Sequence, residues 1–165
     1  MMEVVAREPI PPFERFYVQY RDEVLGYLRR LLAERAEDAW QETFLRALRA
    51  YARLEHGRHL RAWVFTIATN VAMDELRPRP NDGRFQGSNG SDPGAAVELR
   101  RDAFRELEHL TDGLPPTERA AVVLRYGYDL PYPDIAAALG SSEDAARAAA
   151  SSGVRRLRRS LDRHA

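Results

Sequence analysis

The chain has 165 residues, 44% of them apolar, with 25 basic and 25 acidic side chains and a formal net charge of zero. That length suits one ordinary domain or two small ones, and the absence of cysteine excludes disulfides and thiolate zinc sites. No apolar run approaches the ~20 residues that span a bilayer and the N-terminus lacks a signal-peptide core, so a soluble, cytoplasmic protein with no membrane insertion is expected.

Apolar periodicity predicts helices throughout and no convincing strand. Pro11-Pro12 opens the first helix, in which Phe13, Phe16, Tyr17, Tyr20, Val24, Tyr27, Leu28 and Leu31 recur at three- and four-residue steps. A second helix is expected from about Ala36 to Ala52, with Trp40, Phe44, Leu48 and Tyr51 on one face and Asp38, Glu42 and Arg49 opposite; Gln41 lies at the boundary. The third runs from about Leu60 to Arg77, with Leu60, Trp63, Val64, Ile67 and Val71 inward, and Pro78 ends it.

Residues 78–95 are rich in proline, glycine, serine and asparagine, the composition of a flexible linker. Fully extended, Pro78 to Gly94 could reach roughly 55–60 Å. The periodicity restarts beyond it with a stripe of Val97, Phe104, Leu107 and Leu110. Leu114-Pro115-Pro116 then turns into another helix. A short helix around Pro133–Leu139, a Gly140-Ser141-Ser142 turn and a longer helix from Glu143 to Leu161 follow in the order of a helix-turn-helix. The expected architecture is all-α, with two small helical domains, 1–77 and 96–165, on a tether that leaves only a small or regulated interface between them. All 25 basic residues are arginines, and Arg155, Arg156, Arg158, Arg159 and Arg163 crowd the last helix. Such a cluster serves equally as a solvated helix end or as a phosphate contact.

Two helices carry polar groups that a core does not need. In the second, Asp38-Ala39-Trp40-Gln41-Glu42-Thr43-Phe44 matches Asp-x-x-Gln-Glu-x-Phe. In the third, Trp-x-x-x-Ile-Ala-x-Asn-x-x-x-Asp-x-x-Arg runs from Trp63 to Arg77 and places Asn70 mid-helix, where an amide competes with the backbone for hydrogen bonds. The chain resembles the extracytoplasmic-function (ECF) subfamily of bacterial RNA polymerase sigma factors on these strings. The resemblance implies that the first domain is sigma region 2 and the second is sigma region 4. It also implies that Asp38, Gln41 and Glu42 grip the coiled coil of the polymerase β′ subunit while Trp40 and Phe44 stay in the core. Arg58, Trp63, Asn70, Asp74 and Arg77 would handle the minus-ten element, with Asn70 at the pocket for a flipped base, a role suited to an amide. The preceding loop, Arg53 to His59, departs from the family's usual string, which leaves its preferred base open. His56 and His59 have no third ligand at metal-site spacing.

The second half aligns with the minus-thirty-five reader through Leu114-Pro115-Pro116, Glu118-Arg119, Asp134-Ile135-Ala136 and Leu139-Gly140. By that resemblance Ser142, Arg147, Ser151, Arg155 and Arg158 would touch upstream DNA. Its recognition helix is unusually rich in alanine, Arg147 is its one long donor before Gly153, and Gly153 itself costs a helix roughly 1 kcal/mol against alanine. Weak or narrow base readout is therefore expected there, with phosphate contacts. The implied function is promoter selection and melting for core RNA polymerase, through contacts to its β′ and β subunits and to promoter DNA, without catalysis, cofactor or metal. An anti-sigma factor is a further implied partner. The alternative is a sigma-like accessory regulator that binds polymerase but reads upstream DNA weakly.

Overall fold

A computed structural model describes residues 8–77, 111 and 113–164. Six α-helices lie among the described residues: α1 (Phe13–Leu32), α2 (Ala36–Tyr51), α3 (Leu60–Leu76), α4 (Pro116–Val122), α5 (Tyr132–Leu139) and α6 (Glu143–His164). No helix among them is long and apolar enough to cross a membrane. The proposed linker at 78–95 and the stripe Val97, Phe104, Leu107 and Leu110 lie outside the described residues.

The first three helices form one unit. Pro12 precedes α1, and its carbonyl accepts from the Arg15 and Phe16 amides. A short 3₁₀ turn, Ala33–Arg35, reverses the chain into α2. Packing at one end is aromatic. Phe16 meets Trp63 at 5.7 Å, and Phe44 meets Tyr17 edge-on at 5.0 Å between ring centroids. Such pairs add about 0.5–1.5 kcal/mol each beyond the area they bury. The Trp40 indole N–H donates to the Arg21 carbonyl at 2.9 Å, which leaves this large ring satisfied although only half-buried.

The inward face of α2 differs from the expected one. Ala36, Ala39, Thr43, Phe44 and Ala47 are buried, whereas Leu48 is 52% exposed. Small residues let α2 approach its neighbours closely, and Thr43 satisfies its own hydroxyl on the Ala39 carbonyl at 2.7 Å. The bulkier Leu48 is thereby turned outward.

The second unit opens with Pro115 capping α4 and Pro116 in its first turn, where a missing N–H costs nothing. A π-helical stretch, Val123–Gly127, carries the chain from α4 into the loop before α5. Gly140 ends α5 at φ 64°, the left-handed conformation in which glycine has no Cβ penalty. The α4–α5–α6 core is built from Ala120, Ala121, Leu124, Leu130, Ile135, Ala138, Ala146 and Ala150. The alanines of α6 therefore have a packing role. Gly153 shares it, because a Cβ there would lie 2.5 Å from Val122 Cγ2 and 3.3 Å from the Glu118 carbonyl oxygen.

The two units are docked. α5 lies along α3, and Tyr128, from the loop between α4 and α5, inserts against α1 and α3. This explains a feature of α3 that an inward stripe alone does not capture. Phe65, Ala68, Thr69 and Ala72 are buried in addition to Leu60, Val64 and Val71. A helix apolar on more than one side is buried on more than one side.

Candidate polymerase and promoter interface

Asp38, Gln41 and Glu42 project from the outward side of α2. Asp38 and Gln41 are exposed and Glu42 is half-exposed. Leu45 (48% exposed) and Leu48 lie on the same side. At ~100° per residue these five positions fall within about 120° of one another. The result is a polar triad beside two uncovered leucines, a combination suited to gripping another protein's helix. Neither leucine stands out as a surface residue in the sequence, because large apolar side chains at helical spacing are usually core.

Glu42 Oε1 accepts from Arg46 Nε at 2.9 Å, and Arg46 Nη1 sits 3.7 Å from Asp74 Oδ2 on α3. Asp74 Oδ1 is in turn 4.0 Å from Arg77 Nη2. Exposed pairs of this kind are worth about 0–1 kcal/mol each, so their significance is positional. The chain Glu42–Arg46–Asp74–Arg77 joins the surface of α2 to that of α3.

α3 presents three faces. Leu60, Val64 and Val71 are buried on one stripe, with Ile67 partly buried beside them. Arg61, Phe65, Ala68 and Ala72 form a second stripe, and Arg61 and Phe65 in it meet the Tyr128 loop. Trp63, Asn70, Asp74 and Arg77 lie roughly 180° from that second stripe at ~100° per residue. Asn70, Asp74 and Arg77 are exposed; Trp63 is half-buried, with its ring against Phe16 and Tyr51. Arg58 is exposed in the loop before α3, where its amide donates to His56 Nδ1 at 3.3 Å. His59 adopts φ 57° at the start of α3. The structure therefore brings Trp63, Asn70, Asp74 and Arg77 together on one open stripe, bordered by the Arg58 loop.

In the second unit, Arg147, Ser151, Arg155 and Arg158 are exposed and share one face of α6. Ser142 has a structural role, since its Oγ accepts from the Ala145 amide at 3.1 Å and caps α6. Arg147 is already engaged, donating to Glu143 at 3.0 Å and lying 4.5 Å over the Tyr132 ring. Arg125 stacks on Tyr132 at 4.7 Å. Glu118 holds the middle of α6 from beneath, accepting from Ser152 Oγ at 2.9 Å and pairing with Arg156 Nε at 2.8 Å. Arg156 is thus bound to the scaffold, while Arg155 and Arg158 face outward.

A three-helix unit with an exposed acidic-amide patch, followed by a helix-turn-helix, is the arrangement that the sequence resemblance implies for a transcription initiation factor of the sigma type. Residues 16–79 match the model of sigma-70 region 2, and residues 104–157 match that of sigma-70 region 4. Over 155 residues the chain is 34% identical to the RNA polymerase sigma factor CarQ of Myxococcus xanthus, covering 90% of this chain and 88% of CarQ. It is 35% identical over 113 residues to the ECF sigma factor EcfG of Rhodopseudomonas palustris, covering 66% of this chain but only 61% of that relative. Its fold is similar to that of the sigma factor RpoE of Bartonella quintana, solved with the anti-sigma factor NepR, at a TM-score of 0.74 and 24% identity over 91% of this chain and 96% of that one. The chain belongs to the ECF subfamily of RNA polymerase sigma factors. It acts in transcription initiation with core polymerase and promoter DNA.

Proposed function

We propose that the work of this sigma factor is divided among three surfaces. The outward side of α2, with Asp38, Gln41 and Glu42 and the adjoining Leu45 and Leu48, holds the β′ coiled coil of core polymerase. The open stripe of α3, with Trp63, Asn70, Asp74 and Arg77, and Arg58 beside it, binds the minus-ten element. The outer face of α6, through Arg147, Ser151, Arg155 and Arg158, touches the minus-thirty-five element, with Ser142 at its N-terminus. A boundary at 77 and a linker over 78–95 would let the two units work at separate places. The protein catalyses nothing. It melts DNA by holding an unstacked base more tightly than a paired one. It works in the cytoplasm, where the polymerase is.

The observation that carries this reading is the exposure of Asn70, a mid-helix amide on a helix otherwise buried on two sides. Two substitutions test it. Asn70→Ala should leave polymerase binding intact and lower promoter opening roughly ten- to a hundredfold, as the loss of about 1–3 kcal/mol of base contact requires. Glu42→Ala combined with Asp38→Ala should abolish co-migration with core polymerase. Opening unchanged by Asn70→Ala would remove the base pocket from the mechanism.

One observation favours a second reading. Arg147 is paired with Glu143 and stacked on Tyr132, so base readout by α6 would first have to release it. A chain that docks on polymerase but opens no promoter of its own genome would be the accessory regulator instead. An anti-sigma partner is supported by the RpoE–NepR complex of the relative, and the exposed leucines of α2 offer such a partner an apolar foothold.

A further inference from the structure

The chain ahead of α1 is stiff, and it is tied to the loop ahead of α3. Glu8-Pro9-Ile10-Pro11-Pro12 is dominated by proline, and Pro12 stands at φ −56° and ψ 145°, the extended polyproline conformation. Each proline fixes its own φ and removes an amide, so the segment has little freedom to lose and offers its neighbours mainly carbonyls. Two of these are taken up at the end of α2 and in the loop beyond it. The Gly57 amide donates to the Glu8 carbonyl at 2.8 Å, and the Tyr51 hydroxyl donates to the Pro11 carbonyl. The Tyr51 ring packs edge-on against Phe13 at 5.2 Å and lies 6.2 Å from Trp63.

Gly57 is not a glycine for the sake of its own backbone, since its φ lies outside the left-handed region. What excludes a side chain is the segment across from it. A Cβ on Gly57 would sit 2.2 Å from the Pro9 carbonyl oxygen and 2.9 Å from its carbon, where ordinary contact is 3.4–4 Å. The next two residues are Arg58, which is exposed, and His59, held at φ 57°. A residue other than glycine persists in that region only where its surroundings hold it. The Arg58 amide reaches His56 Nδ1 at 3.3 Å, a long bond that fixes the loop little by itself. The firmer hold is the one at Gly57, and α3 begins three residues later.

We infer that residues 8–12 form a positioning strap for the loop before α3. The strap holds Gly57 and Tyr51, and through them it sets where Arg58 and Trp63 stand beside Asn70. This rests on the minus-ten reading of that surface and adds the element that pre-organises it. The strap acts through the loop and not on DNA. A loop that samples several conformations binds with an affinity reduced by the fraction of time it is competent. A rigid segment that removes the alternatives raises affinity without any new contact. Its effect falls on the unpaired bases that the loop meets, as base preference at particular positions.

The test uses the full chain assembled with core polymerase. The probe is a pool of DNA left unpaired and randomised across the minus-ten stretch; bound molecules are sequenced to give the preference for each base at each unpaired position. Gly57→Ala forces strap and loop apart. It should lower the preference roughly tenfold at the positions the loop meets, as when the competent loop falls to about a tenth of the population. Other positions and polymerase binding should keep wild-type values, which a merely destabilised chain would not do. Adding Arg58→Ala should cost little more at those positions, because both changes act through one loop. Pro9→Gly with Pro11→Gly adds no atom to the contact but frees the segment. It should shift the same positions by roughly three- to tenfold, and it supplies the test if Gly57→Ala does not fold. Three results would overturn the strap: wild-type preferences in every strap variant that folds, an even loss across all unpaired positions, or losses that multiply in full when Arg58→Ala is added. A wild type with no preference at any unpaired position would instead sink the minus-ten reading itself, and the strap with it.

Discussion

Tyr27 and Thr69 are fully buried polar residues that depend on each other. Thr69 Oγ1 donates its hydrogen to the Phe65 carbonyl at 2.7 Å, so the Tyr27 hydroxyl, 2.7 Å from the same oxygen, must be the donor to it. Burial pushes the Tyr27 phenol well above its ordinary range, against the lowering effect of the Thr69 bond. Thr69→Val would strand the hydroxyl and should cost about 1–3 kcal/mol of stability. Adding Tyr27→Phe should recover much of that loss. Urea denaturation of the two single variants and the double variant checks both statements; strictly additive losses would show that the pair is uncoupled. Neither residue is recognisable as half of a pair from its place in the chain, because they are brought together only when α1 packs on α3.

At the scale of the element, α6 reverses an expectation drawn from helix propensity. Propensity alone makes Gly153→Ala stabilising by about 1 kcal/mol. With Val122 Cγ2 at 2.5 Å and the Glu118 carbonyl oxygen at 3.3 Å from the added Cβ, the substitution must push α4 from α6. We expect it to destabilise the second unit by about 1–3 kcal/mol, seen as a lower denaturation midpoint. The helices themselves are legible in the sequence: Pro11-Pro12, Pro115-Pro116 and Gly140 mark their ends, and aromatic periodicity marks α1. The polar strings of α2 and α3 are legible too, since Asp38, Gln41 and Asn70 have no business in a core. Less legible is which apolar residues are inward. Leu48 outranks Ala39 and Ala47 in hydrophobicity, yet close helix packing buries the alanines and leaves the leucine out. Phe65, Ala68 and Ala72 are buried partly by a helix some seventy residues away in sequence, and no local pattern announces such a neighbour.

For the whole molecule, docking introduces a dependence on alkaline pH. Burial pushes the Tyr128 phenol up to about 12, with Glu23 adding to the rise and Arg30 and Arg61 opposing it. Tyr27 also faces the ring. In the undocked chain the phenol returns toward its ordinary value near 10. Below pH 10 both forms are protonated and docking has its full strength. Between about 10 and 12 the undocked form loses a proton that the docked form keeps, so docking weakens as pH rises. Energy transfer between a donor and an acceptor dye attached at Gln19→Cys and Ala148→Cys, one exposed site in each unit, should therefore fall over that interval when Tyr128 is kept. It should fall less in Tyr128→Phe, which has no proton to lose there. Equal falls in the two would trace the change to other groups. The all-α class and the pairing of a three-helix unit with a helix-turn-helix can be read from the chain, but the docking cannot, because Tyr128 in its loop resembles any other aromatic at a turn.

The division of α3 into three faces also bears on how this sequence can change over time. One side maintains the fold of its own unit, another meets the neighbouring unit, and the third, with Asn70, Asp74 and Arg77, is exposed and is the side proposed above for promoter DNA. Few positions between Leu60 and Leu76 can then drift silently. A saturation library over the segment should sort into three phenotypes (unfolded, permanently extended, and stable but unable to open promoters), interleaved along the chain with the ~3.6-residue beat of the helix.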